Sequence, residues 1–258
     1  MLLWAFNVAA WEPSQETYTA LTALLPADEA SRIVRYHFPI DARRSLVGQL
    51  MARAAVCKAA ANGTAWPDVV LQRTQWGKPE LISPNIPNLL FNVSHHGSWA
   101  VLACSAHATM LGVDVGHVDS AVLSDPDFYS AFDHCFTPAE WRWIRSNPAS
   151  QLARFYRLWT LKEAYVKAVG VGLGLDLMRV EFEVKGDDDE DIVVNVDGKW
   201  REEVRMGTTV LKADHPTSLC FVPSDKQGES EGGHGKLDFQ VLAWEDLRML
   251  LRDARVAI

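Results

Sequence analysis

The stretch from Arg154 to Gly170, RFYRLWTLKEAYVKAVG, constrains this chain most, because it runs without proline or glycine until its last residue. Within it Tyr156, Thr160, Glu163 and Lys167 recur at i, i+4, i+7 and i+11, one polar stripe on a helix otherwise rich in Phe155, Leu158, Trp159, Leu161, Tyr165 and Val166. Such a helix is mostly buried with one wet face. Glu163 and Lys167 then read either as an exposed i,i+4 pair, worth about 0.3–0.5 kcal/mol, or as the lining of a cleft. The glycines at 170, 172 and 174 follow this helix, whereas a dinucleotide fingerprint follows a strand and opens a helix; Gly170 is expected to cap the helix C-terminus.

Around this helix the chain alternates helical and extended segments twice. From Thr17 to Asn62 apolar residues recur at helical spacings and Pro39 divides them, which predicts two helices, the second N-capped by Asp41 with Arg43, Arg44 and Arg53 toward solvent or a ligand. Short strands are expected at 69–72, 89–94 and 99–104, bounded by turn signals at Gly77-Lys78-Pro79, Ser83-Pro84-Asn85 and His96-Gly97-Ser98. A similar order recurs from Leu111: a strand to Val115, helices over 138–145 and 154–169, and strands near 180–184, 192–196 and 218–222. This predicts an α+β fold of two comparable halves, 1–110 and 111–258. The acidic run 186–191 and the Gly/Glu/Ser-rich 225–236 read as solvated loops.

At 258 residues the chain suits one large domain or two modest ones, and 48% hydrophobic with 22% charged residues predicts a packed core. The net charge of -8 argues against nonspecific nucleic-acid binding, and it belongs to the second half: residues 1–110 hold 8 Lys and Arg against 7 Asp and Glu. No apolar run reaches the roughly 18–20 residues of a membrane helix, and the start lacks the basic segment of a secretory leader. A cytoplasmic protein without membrane contact is expected. Cys57, Cys104, Cys135 and Cys220 form no CxxC pair, so they read as buried free thiols.

Three further segments could carry chemistry. In Leu111-Gly-Val-Asp-Val-Gly116, Val113 and Val115 share one face while Gly112, Asp114 and Gly116 share the other. A carboxylate in an apolar strand needs hydrogen bonds, a counter-charge or a metal, so Asp114 is either a strand-end acceptor or a ligand-holding group. FNVSHHG, 91–97, ends a strand in Ser94, His95 and His96, groups suited to phosphate oxygens; adjacent histidines cannot point the same way, which speaks against a two-histidine metal site. LQRTQWGKPEL, 71–81, sets Arg73 and Lys78 around a tight turn, as a terminal phosphate or simple surface solubility would each favour.

Taken in order, LQRTQWGKPEL, FNVSHHG, GVDV, FTPAEW and FYRLWTLKEAYVKAVGVGL resemble the larger, Sfp-type class of 4'-phosphopantetheinyl transferases, and RIVRYHFPIDARRSLVGQLM, 32–51, resembles the family's N-terminal helical region. The resemblance implies a pseudo-dimer of two similar α+β halves with coenzyme A between them. It also implies transfer of the phosphopantetheine arm of coenzyme A to a serine of an apo carrier protein, releasing 3',5'-ADP, a holo-[acyl-carrier-protein] synthase activity. The nucleophile then lives on the partner, consistent with the lack of a GxSxG elbow here.

By the same resemblance Asp114 and Glu163 would hold Mg2+, Glu163 would act as general base, and Lys167 would stabilise charge on the pyrophosphate. Arg73, Lys78, Ser94 and His95 match positions that contact coenzyme A, with Arg32 near its 3'-phosphate. The sequence departs at Gly116, where bacterial members commonly carry a second acid; water, a main-chain carbonyl or an acid such as Asp119 would complete the metal shell. Carriers could belong to a fatty acid synthase, a polyketide or peptide synthetase, or an aminoadipate reductase. A monomer is expected, since the duplication completes the cleft within one chain. The competing readings are a noncatalytic coenzyme A or carrier-protein binding module and a metal-dependent phosphohydrolase.

Overall fold

The computed structural model describes residues 1–60, 63–185, 191–226, 230 and 235–256. Strand β1 (Leu2–Asn7) leads into helices α1 (Gln15–Thr22), α2 (Ala27–Val34) and α3 (Pro39–Ala59), then the hairpin β2 (Val70–Arg73) and β3 (Pro79–Ser83), and strands β4 (Leu90–His96) and β5 (Trp99–Ser105). The order then repeats as β6 (Ala108–Val115), α4 (Pro138–Arg145), α5 (Gln151–Val169), a small sheet β7 (Val180–Lys185), β8 (Asp191–Val196) and β9 (Lys199–Trp200), and strands β10 (Arg205–Leu211) and β11 (His215–Pro223). Strands β12 (Gly235–Lys236) and β13 (Gln240–Leu242) and helix α6 (Trp244–Asp253) follow.

The repetition extends to strand pairing. Strands β1-β5-β4 form one antiparallel run and β6-β11-β10 its counterpart, giving the expected two α+β halves. Each sheet packs its long helix on one face: α3 covers Trp4, Phe6 and Leu102, while α5 belongs to a second core with Phe182, Met206 and Cys220. The alternate residues of both sheets, among them Ala5, Val101, Val113, Leu219 and Phe221, form a third core that joins the halves. Val113 and Val115 lie in this joint core, as strand alternation requires, and Asp114 points the other way, toward α5.

Three features differ from the sequence reading. The segment 17–62 holds three helices rather than two, and α3 starts at Pro39, so Asp41 sits in its first turn, 2.6 Å from Arg44, instead of capping it. Proline suits that place because its missing N–H would have no partner in a first turn. Arg53 does not reach solvent or the cleft: it is 1% exposed and donates to Glu29 at 2.8 Å. Lastly, β13 pairs in parallel with β1, and Leu247 and Leu251 of α6 enter the first core, so residues 240–256 pack with the first half.

The 186–190 part of the acidic run and most of the 225–236 loop lie outside the described residues. Cys104, Cys135 and Cys220 are buried and Cys57 is half-buried, all as free thiols. No described helix is long and apolar enough to cross a membrane.

Candidate active site

The two halves meet along β4 and β6. No backbone ladder joins these strands; side chains of β4 do, with Asn92 Oδ1 accepting from the Val113 N–H at 2.8 Å and Ser94 Oγ from the Val115 N–H at 3.4 Å. Over this seam α3 and α5 flank a cavity of about 400 Å3 lined by residues of both halves, including Arg73, Lys78, His95, Glu163 and Lys167. Five of the residues singled out from the sequence thus border one space.

Asp114 lies just behind Lys167, outside the residues that line the cavity. The whole residue is 6% exposed, and Oδ1 accepts from Ser94 Oγ at 2.7 Å and from Lys167 Nζ at 2.5 Å. Lys167 Nζ also donates to Ser94 Oγ at 2.8 Å, closing a three-membered network. Gly112 brings α5 this close: a Cβ there would strike the Ala164 carbonyl and the Ala168 backbone. Helix α5 ends as expected at Gly170, whose φ of 80° is the left-handed value glycine tolerates, with its N–H donating to the Val166 carbonyl.

Glu163 borders the cavity without a hydrogen bond or ion pair among the described residues. Burial raises its carboxyl pKa from the ordinary value, the Asp114 charge raises it further, and Lys167 partly offsets both. Two carboxylates on facing elements, one repelling the other, are a donor set that fits a hard divalent cation keeping several waters. Among the described residues no cluster of three or more His, Cys, Asp or Glu side chains forms a metal site. At Gly116 the Cα faces Tyr156 and Thr160, and an added Cβ would already lie 3.0 Å from the Thr160 methyl, which leaves little room for a carboxylate.

Not every expected phosphate contact turns its donors to the cavity. Ser94 lies beneath it, spending its hydroxyl on Asp114. Lys78 borders the cavity, but its ammonium donates to the carbonyls of Lys167 at 2.6 Å, Leu111 at 3.3 Å and Ala168 at 3.4 Å, so it caps the C-terminal turn of α5 from the other half. Arg73 bridges its own turn through the Gly77 carbonyl at 2.7 Å. Arg32 lies in an adjoining groove that shares Arg73 and Gln49 with the cavity, and pairs with Asp28 at 3.1 Å. His95 opens onto the cavity; burial chiefly, then the Lys167 and Arg44 charges, lower its pKa and keep the imidazole neutral. His96 turns the other way, its ring 6.2 Å from that of His117, as alternation along β4 requires.

The sequence reading passed over two supports of the site. Asn92 ties β4 to β6, and Lys162, beside Glu163, is fully buried, donating to Glu140 Oε2 at 2.9 Å and to the Leu177 and Val180 carbonyls. Glu140 completes a capping box with Thr137 and accepts from the Phe182 N–H at 2.9 Å. The Thr-x-x-Glu spacing at the start of α4 was the legible signal for it. Trp76, half exposed, lies against Gly172 and Gly174, so the β2–β3 turn of one half rests on the end of α5 of the other.

Residues 9–107 match the family profile of the 4'-phosphopantetheinyl transferase N-terminal region and residues 110–220 that of the 4'-phosphopantetheinyl transferase superfamily. A phosphopantetheinyl transferase of a Thraustochytrium species is 34% identical over 88% of this chain and 80% of its own length. The mouse L-aminoadipate-semialdehyde dehydrogenase-phosphopantetheinyl transferase is 37% identical over 70% of this chain, which spans 60% of that relative's length. A Bacillus subtilis 4'-phosphopantetheinyl transferase is 30% identical over 65% of this chain and 70% of its own. Among solved structures, a holo-(acyl-carrier-protein) synthase of Bacillus anthracis aligns with 46% of this chain and 99% of its own at 16% identity and a TM-score of 0.36. On the two profile matches and the 34% identity across most of the Thraustochytrium protein, this chain belongs to the 4'-phosphopantetheinyl transferase family.

Proposed function

We propose that this protein transfers the 4'-phosphopantetheine arm of coenzyme A to a serine of apo carrier proteins, and that it works as a monomer. The observation that carries the reading is one cavity, shared by two halves fused through a common core, in which the Glu163 carboxylate and the Lys167 ammonium, itself paired with Asp114, meet Arg73 and His95. Arg73, with Arg32 in the adjoining groove, suits the 3'-phosphate of the coenzyme, and His95 offers a neutral N–H donor to phosphate oxygens.

In the reaction the carrier serine oxygen bonds to the phosphorus bearing pantetheine, the bond from that phosphorus to the bridging oxygen breaks, and 3',5'-ADP leaves. The serine proton passes to Glu163, directly or through one water. The raised pKa of Glu163 suits this role, because a base serves best when its pKa lies near the working pH. When bound, Mg2+ at Asp114 and Glu163 would neutralise the pyrophosphate. Lys167, one turn beyond Glu163, supplies positive charge where the leaving diphosphate gains negative charge. Ser94 and Lys78 contribute by position, Ser94 through Asp114 and Lys78 by holding the end of α5.

The test is intact-mass analysis of apo acyl, peptidyl and aminoadipate-reductase carrier domains incubated with the protein, coenzyme A and Mg2+, with and without EDTA. One added phosphopantetheine, suppressed by EDTA, is the expected result. Coenzyme A bound with no carrier modified would replace this reading with a binding module. The variant Glu163→Gln is expected to lose transfer by at least about 100-fold, in the range for removing a general base, while calorimetry still detects coenzyme A binding; near-normal turnover would remove Glu163 from the base role.

A further inference from the structure

We propose that Lys167 is the resident counter-ion of Asp114 in the substrate-free protein, and that it yields this place only when a divalent cation arrives with the diphosphate of the coenzyme, so that metal and coenzyme load together. The inference rests on the reading above for the identity of the coenzyme.

The geometry carries it. Asp114 Oδ1 already receives two donors, the Lys167 ammonium at 2.5 Å and the Ser94 hydroxyl at 2.7 Å. Its side chain is 9% exposed, so neither donor is readily replaced by water. A cation bound to Asp114 would therefore either displace the ammonium from Oδ1 or share one carboxylate with a positive charge in direct contact, an arrangement opposed by repulsion in a poorly solvated site. With Oδ1 so occupied, Asp114 holds a divalent ion weakly in the absence of the coenzyme.

The diphosphate reverses this balance. It brings negative charge into the cavity beside Lys167, whose side chain is 29% exposed on a flexible four-carbon stem. Moving the ammonium from Asp114 to a phosphate oxygen satisfies the incoming anion and frees Oδ1 for the cation in the same event. Ser94 makes the exchange possible without an orphaned group, since its hydroxyl still donates to Asp114 and accepts from the Val115 N–H when Lys167 has left. Linkage then requires that metal and coenzyme strengthen one another's binding by the same factor.

The experiment measures Mn2+ binding by electron paramagnetic resonance of the free ion, without and with coenzyme A, in the wild type, Lys167→Met and Lys167→Gln. The expected result without coenzyme is that both neutral variants bind Mn2+ at least about tenfold more tightly than the wild type, since their Asp114 has no resident ammonium. Coenzyme A should tighten Mn2+ binding at least about tenfold in the wild type and much less in the variants. Equal Mn2+ affinity of the wild type and of whichever variant folds, without coenzyme, would overturn the proposal. With Lys167→Arg as a folded control, wild-type-like weak binding is expected, and binding as tight as in the neutral variants would overturn it. Coenzyme binding and carrier modification are read separately by calorimetry and mass. A transferase with equal Mn2+ affinities would defeat this inference alone, whereas a wild type that binds no coenzyme would defeat the underlying reading.

Discussion

At the scale of single residues, two acids show how environment divides labour. Asp114 is held by two donors, while Glu163, on α5, has no hydrogen bond or ion pair among the described residues and a raised pKa. The profile of kcat/KM against pH, which reports the free enzyme, should therefore fall on the acid side at a pH above 4.5, the ordinary glutamate value. The sign follows from the role: a base must be deprotonated, so a raised pKa moves the loss to higher pH. A limb at or below the ordinary value would mean that another group titrates. The neighbouring Lys162 serves structure instead. Lys162→Met would leave Glu140 buried without its counter-charge, at an expected cost of about 3–5 kcal/mol in urea unfolding, and pairing it with Glu140→Met should cost less than the two changes summed.

At the scale of elements, the site depends on how closely α5 lies on β6. Gly112→Ala should force the helix outward against backbone atoms, costing about 1–3 kcal/mol in thermal or urea melts. Turnover should fall further than stability, because a shift of Glu163 and Lys167 by about 1 Å can cost roughly 100-fold. Gly116→Ala is the contrasting case, since the Thr160 methyl it meets at 3.0 Å belongs to a side chain that can move; it should keep more activity. Helix α5 was legible in the sequence because local periodicity defines it, and of its polar stripe Glu163 and Lys167 reach the cavity, whereas Thr160 is fully buried against the Ser218 hydroxyl. Ser94 and Lys78 were legible as positions but not as roles: whether a hydroxyl faces a cavity or a carboxylate, and whether an ammonium meets phosphate or helix carbonyls, depends on packing between halves distant in sequence. Strand β1, LLWAFN, has buried residues on both faces and so lacks the alternation that announces a strand.

At the scale of the whole molecule, the seam between the halves carries its own acid sensitivity. The turn after β4 packs on His215, which is 2% exposed: its Nε2 accepts from the Ser98 N–H at 3.2 Å, its Nδ1 donates to Asp214 at 2.6 Å, and the His117 ring stacks on it at 4.6 Å. Burial, aided by His117 and opposed by Asp214, lowers its pKa from 6.5. The unfolded chain then binds this proton more readily than the folded one, so stability should fall as pH drops below 6.5 toward the folded pKa. Denaturant melts at pH 7.5 and 5.5 should show this loss, and a smaller one in His215→Gln; an equal loss in both proteins would assign it elsewhere.

The pairing of β1 with β13, Trp4 against Gln240, also sets a schedule for synthesis. The ribosome completes β5 early, but the partner for the outer edge of β1 emerges only after the entire second half. At about 5–20 residues per second that interval lasts on the order of ten seconds. Throughout it the newborn chain carries an open sheet edge of the kind that recruits strands from other molecules. Strand β1 thus gains its first neighbour early and its second only near the end.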